Sequence, residues 1–125
     1  MQKIKVLIID NELEFMSILT DRLCSWGFAA TSAANREEVL EALTSARPEV
    51  VVLGLRGRDS QALDTLRMIK TIDPSIEVIL LIGKGAAIAG MQGMEQGAFD
   101  CIAHPIELGV LIEKIKQGAE VALNR

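Results

Sequence analysis

The sequence predicts an α/β domain built on one open parallel sheet with helices on both faces. Three observations support this. Short apolar, β-rich runs alternate strictly with amphipathic stretches, which is the pattern of repeated strand–helix units. The third and fourth runs are almost unbroken Val, Ile and Leu, as expected of strands covered on both faces. The chain has 125 residues, half of them apolar, enough to bury one sizeable core. A single domain over residues 1–125 is therefore expected.

Taken in order, the strand candidates are KVLII (5–9), FAATS (28–32), EVVVLG (49–54), EVILLI (77–82) and FDCIA (99–103). Between and after them lie helical patterns near 12–25, 36–46, 61–72, 87–96 and 107–123, each with apolar residues three or four apart. Gly27 closes the first helix, and Asn35 with Glu38 three residues later marks the start of the second. Pro48 and Pro74 fall just before strands. The fourth helix is the weakest element, because Gly90 and Gly93 each cost about 1 kcal/mol relative to alanine in a helix interior. No internal repeat or low-complexity tract interrupts the pattern. On the fifth helix, Leu111, Ile112 and Ile115 are expected to face the sheet.

Composition excludes several functions. A net charge of -4 with scattered Lys and Arg gives no positive field for a phosphate backbone. Three Phe, one Trp and no Tyr leave no platform for unpaired bases. Direct nucleic-acid binding is not expected. Four apolar residues after Lys5 are too few for a signal peptide, and no apolar run approaches the roughly 20 residues that cross a bilayer. A soluble, cytoplasmic protein without membrane contact is expected. Cys24 and Cys101 lie far apart in apolar contexts, which reads as two buried, reduced thiols.

In open parallel sheets ligands bind beyond the carboxyl ends of the strands. The residues to read are therefore Asp10, Asn11 and Glu12, then Gly54 to Asp59, Ile82 to Gly85, and His104 with Pro105. The third of these strands, VVVLGLRGRD from Val50, ends on a glycine where a functional side chain is usual.

These segments resemble the receiver domain of bacterial two-component response regulators. The resemblance runs through the whole chain. It rests on VLIIDNE, ARPEVVVLGLR, IKTIDPSIEVILLIGKG and QGAFDCIAHPIE in this order and spacing. It implies a (βα)5 flavodoxin-like sandwich with strand order 2-1-3-4-5. In that family, two acidic residues after the first strand and a third ending strand three hold Mg²⁺. The third also accepts the phosphoryl group from a histidine kinase. A hydroxyl ending strand four and a lysine before a proline after strand five bind the phosphoryl oxygens. By motif match those roles fall on Asp10 with Asn11, on Gly54, on Ile82 and on His104, and only Asp10 is intact.

Each departure has a chemical consequence. Gly54 offers no carboxylate to form an acyl phosphate. Mg²⁺ prefers hard oxygen ligands in octahedral geometry, and Asp10 is the one main anionic ligand left, so metal binding is expected to be weak or absent. Ile82 cannot donate a hydrogen bond. A lysine beside a missing carboxylate would be under-compensated, a cost that a largely neutral His104 avoids. A contracted, more apolar pocket is expected, with Ile82 filling the vacated space. Cys101 stands where the family carries its switch aromatic, and the His104–Pro105 bond is expected to be cis by the same resemblance.

Other readings are weaker. Asp59, as a displaced phosphoacceptor, lies on the loop away from Asp10, and a solvated carboxylate is the ordinary case. His104 has no carboxylate or cysteine partner at useful spacing, so a packing or hydrogen-bonding role is favoured over a ligand or base. GKGAAIA (83–89) lacks the third glycine and the later acidic residue of a dinucleotide loop. Met91 and Met94 read either as ordinary core packing or, with Cys101, Glu107 and Lys114, as an interaction face on the fourth helix, fifth strand and fifth helix, which by the resemblance is the face through which receivers dimerise or touch effectors; a solvated charged face is the other reading of Glu107 and Lys114.

The function expected is a non-enzymatic, phosphorylation-independent receiver without cofactor. It would act on a protein partner: an effector domain, a histidine kinase, another regulator or a second copy. The alternatives are a small-molecule or nucleotide sensor using the altered pocket, and a regulator phosphorylated at an unconventional residue.

Overall fold

A computed structural model describes residues 2–57 and 61–124. Five strands and five helices alternate along it: β1 (Lys5–Ile9), α1 (Leu13–Ser25), β2 (Ala29–Ala33), α2 (Arg36–Ser45), β3 (Val50–Leu55), α3 (Gln61–Ile72), β4 (Glu77–Ile82), α4 (Ala87–Glu95), β5 (Asp100–Ala103) and α5 (Leu108–Leu123). All pairings are parallel and the strand order is β2-β1-β3-β4-β5, as the resemblance implied.

β2 begins one residue later than the apolar run suggested. The Phe28 N–H is used by Leu23 O at 3.1 Å to close α1, and its ring is buried under that helix end. Gly27, at φ +94°, makes the left-handed turn this closure needs. At the start of α2, Asn35 Oδ1 accepts the Glu38 N–H at 2.9 Å, and Glu38 Oε1 accepts the Ala34 N–H at 2.8 Å. The reciprocal cap thus reaches one residue further back than a standard box.

Alternate residues of each central strand feed two cores. Val6, Ile8, Val50, Val52, Ile79 and Leu81 pack under α1 and α5. Leu7, Ile9, Val51, Leu53, Leu55, Val78 and Leu80 pack under α2, α3 and α4. Fully buried side chains of this size contribute about 1.5–3 kcal/mol each, so β1, β3 and β4 form the rigid platform. Leu111, Ile112 and Ile115 face the sheet as expected. The buried Glu77 that opens β4 lies 3.7 Å from Lys70 Nζ, which also donates to Pro74 O and Ile76 O and so ties the end of α3 to β4.

The two cysteines are free and exposed, which corrects the expectation of buried thiols. Cys24, exposed on α1, has its Sγ 3.5 Å from Ala30 O of β2, and Cys101 is exposed on the edge strand β5, so an apolar sequence context was a poor guide to burial there.

The α4 glycines, read as a weakness, are close-approach points. Gly90 lies against Ile82, and a Cβ there would come within 2.6 Å of Ile82 Cδ1. A Cβ on Gly93 would overlap Leu80 Cδ1 and reach Leu63 and Leu66 at 3.5 and 3.7 Å. Leu80 and Leu66 are fully buried and have nowhere to go. Gly93→Ala is therefore expected to destabilise by about 1–2 kcal/mol despite alanine's higher helix propensity. Gly109→Ala on α5, where a Cβ meets nothing within 4 Å, should instead stabilise by about 0.5–1 kcal/mol. Urea unfolding of the two variants checks both signs.

Candidate functional site

The parallel register aligns the strand ends along one edge of the sheet. Ile9 pairs with Leu53 and Ala33, Gly54 with Leu81, Leu55 with Ile82, and Ile82 with Ala103. Asp10 follows the buried end of β1 and is itself buried. Its carboxylate lies over Gly54: a Cβ built on that glycine would overlap Asp10 Oδ2 and stand 2.9 Å from Asp10 Cγ. Gly54 is the residue that lets the carboxylate settle here.

Arg56, two residues further on, turns back onto this carboxylate. Its Nε donates to Asp10 Oδ1 and its Nη2 to Asp10 Oδ2, both at 3.0 Å. Its Nη1 reaches Glu12 Oε2 at 3.1 Å. Asp10 Oδ1 also accepts the Glu12 N–H at 2.9 Å, which shapes the turn into α1. The forked guanidinium thus satisfies both oxygens of a carboxylate that would be costly to bury alone. The hydrogen bond to Asp10 raises the guanidinium pKa, outweighing its partial desolvation, so the cation is permanent.

An aromatic contact extends the arrangement. The Arg56 guanidinium carbon lies 5.5 Å from the Phe15 ring centroid. Phe15 in turn meets the His104 ring at 5.8 Å between centroids, tilted by 54°. The loops that follow β1, β3 and β5 are linked through Arg56 and Phe15. His104, on a cis peptide bond with Pro105, is exposed and donates its N–H to Ile82 O at 2.9 Å.

Two expectations are corrected. Ile82 does not fill the site: it is absent from the lining of the cleft beside Asp10 and packs instead on α4 over Gly90. Nor is the pocket contracted. Asp10 closes the space above Gly54, but beside it a cleft of about 450 Å³ opens between the ends of β1 and β3 and the first turns of α2 and α3. Its lining is mixed, with Asn11, Asn35, Arg36, Arg56, Asp64 and Thr65 on the polar side and Ile9, Ala34, Val39, Leu53 and Ala62 on the apolar side. Asn11 is exposed at its rim.

Arg56 was the residue that sequence reasoning missed. The available signal was a buried acid at Asp10 without its usual neighbours, which requires a counter-charge, and an arginine on the adjacent strand end. Asp59 and Arg58 lie outside the described residues.

Residues at the proposed interaction face are largely accessible. Met91 is 67 % and Met94 38 % exposed, while Gly90 and Gly93 supply the packed side of α4. Cys101 and Glu107 are exposed, and Lys114 is engaged with Asp100 Oδ2 at 2.7 Å. Burial opposes ionisation of Asp100, but its hydrogen bonds to Lys114 and the Cys101 N–H prevail and hold its pKa below the usual carboxylate range.

The donor set does not fit a divalent cation. Both Asp10 oxygens and one Glu12 oxygen are engaged by Arg56, position 54 supplies no ligand, and no three His, Cys, Asp or Glu among the described residues group to hold a metal.

Residues 6–116 match the response regulator receiver domain. The chain belongs to that family. It is 31% identical over 97% of its length to a putative response regulator, NtrX-like, of Rickettsia bellii, covering 26% of that protein. It is 26% identical over 90% of its length to sporulation initiation phosphotransferase F of Bacillus subtilis, covering 91% of it. A response regulator receiver domain protein from Clostridium thermocellum superposes with a TM-score of 0.84 at 27% identity, covering 93% of this chain and 94% of that one. The chain spans about a quarter of the length of the transcriptional regulators it matches. Receiver domains interact with histidine kinases and effector domains in two-component systems. No helix among the described residues of this receiver is long and apolar enough to cross a membrane.

Proposed function

We propose that this receiver signals without an acyl-phosphate step, as a non-enzymatic protein-interaction module docking on a kinase, an effector domain, another regulator or a second copy. One observation carries the reading: the place where a side chain at position 54 would stand is filled by the Asp10 carboxylate, held there by Arg56. Position 54 itself carries no nucleophile, and the Asp10 carboxylate occupies the room one would need there. Ile82 and His104 add no hydroxyl or ammonium to steady a phosphoryl group. In support of a docking role, Ile88, Met91 and Met94, spaced three apart on α4, are all exposed, and methionine adapts readily to partner surfaces.

Incubation with acetyl phosphate and Mg²⁺ followed by intact-mass measurement is expected to show unmodified protein. A stable phosphoryl adduct, localised by peptide mapping, would overturn the proposal.

A further inference from the structure

The misfit between this site and a divalent ion has a specific origin, and it rests on the reading of the site just given. Two carboxylates, Asp10 and Glu12, converge on one cation, and that cation is part of the chain. We infer that Arg56 is a tethered counter-cation that closes the acidic end of β1 against divalent metal, and that removing it opens a cation site formed by Asp10 and Glu12.

The geometry supports the assignment at each contact. The guanidinium makes three contacts with carboxylate oxygens at 3.0 to 3.1 Å, a forked pattern that an ammonium does not reproduce. Its Asp10 partner is 3 % exposed at the side chain, so these oxygens are withdrawn from water and need a cation from some source. A covalently attached cation occupies the position at every metal concentration, because its effective concentration is set by the chain. Phe15 covers one side of the guanidinium and limits its escape to solvent. The gap that its removal leaves would join the cleft beside it, which Asp10 and Arg56 both line. Hydrated cations could then reach two carboxylates, a common number for protein Mg²⁺ sites.

The experiment is calorimetric titration with MnCl2 and MgCl2, with thermal melts at matched ionic strength in NaCl. The wild-type chain is expected to show no binding heat and no melting shift beyond that of NaCl. Arg56→Ala should melt roughly 5 °C lower and regain much of that loss with millimolar Mn²⁺, binding a single ion. Asp10→Asn/Arg56→Ala should show no recovery. Arg56→Gln, which keeps more of the side-chain bulk, provides the same readout where the alanine variant folds poorly. Divalent binding by the wild-type chain equal to that of the variants would overturn the inference, as would variants indifferent to the ions. Calorimetry reads the cation alone, so a phosphoryl adduct in the acetyl phosphate experiment would sink the proposed function and leave this result standing.

Discussion

Asp10→Asn is expected to lower the unfolding free energy by about 2 kcal/mol, measured by urea denaturation. The substitution keeps the shape of the side chain and removes its charge. One of the two Arg56 donors then faces an amide N–H₂ in place of an oxygen, and a buried charge-assisted fork is lost. The loss stays below the 3–5 kcal/mol typical of a wholly buried pair, because the Arg56 side chain is 33% exposed and retains Glu12. The sign is the informative part. In a cluster of uncompensated carboxylates, neutralising one relieves repulsion and stabilises the fold. Here the cation is already present, so neutralisation removes an attraction. A double-mutant cycle with Arg56→Gln should give a favourable coupling of about 1–2 kcal/mol. A stabilised Asp10→Asn variant, or coupling near zero, would mean that the fork contributes nothing in solution.

The fold was legible because its cause is local and repetitive. A buried parallel strand must be apolar on both faces, and Val50 to Leu53 and Val78 to Leu81 say so without reference to anything distant. The location of the site followed from the same alternation, since strand ends are where a parallel sheet exposes its backbone and loops. Its contents did not follow, for reasons of packing and of long-range pairing. Ile82 occupies the position matched to a family hydroxyl, but that its side chain packs on α4 depends on the space that Gly90, eight residues on, leaves above it. The partnership of Asp10 with Arg56 spans 46 residues and depends on Gly54 having no Cβ. A reading that treats each strand end separately sees an absent nucleophile, whereas in three dimensions the absence is what makes room for a neighbour. Cys24 and Cys101 show the same limit: a residue's immediate neighbours turn away from it, by about 100° in the α1 helix and to the opposite face in the β5 strand, so they do not report on its burial.

Gly54→Ala is expected to destabilise the domain by about 2 kcal/mol, although a glycine-to-alanine change inside a strand ordinarily stabilises by about 0.5–1 kcal/mol. Gly54 does not have the positive φ that would penalise alanine for its backbone, so the reversal has a single cause, the overlap of the new Cβ with the Asp10 carboxylate. That carboxylate cannot retreat without breaking two bonds from Arg56 and one from the Glu12 N–H. Gly54→Asp should cost more, about 3–4 kcal/mol, because it adds a second carboxylate beside the first while Arg56 is the one cation among the described residues paired with Asp10 and Glu12. It should also fail to restore phosphorylation-driven switching, since Ile82 still lacks a hydroxyl and His104 an ammonium. The steric account makes a further demand. In an Asp10→Ala background the overlapping atoms are gone, so adding Gly54→Ala there should return to the ordinary small gain. Urea denaturation of the two single variants and the double variant tests this. If alanine at position 54 costs the same with and without the Asp10 side chain, then Asp10 does not fill the place of the missing residue.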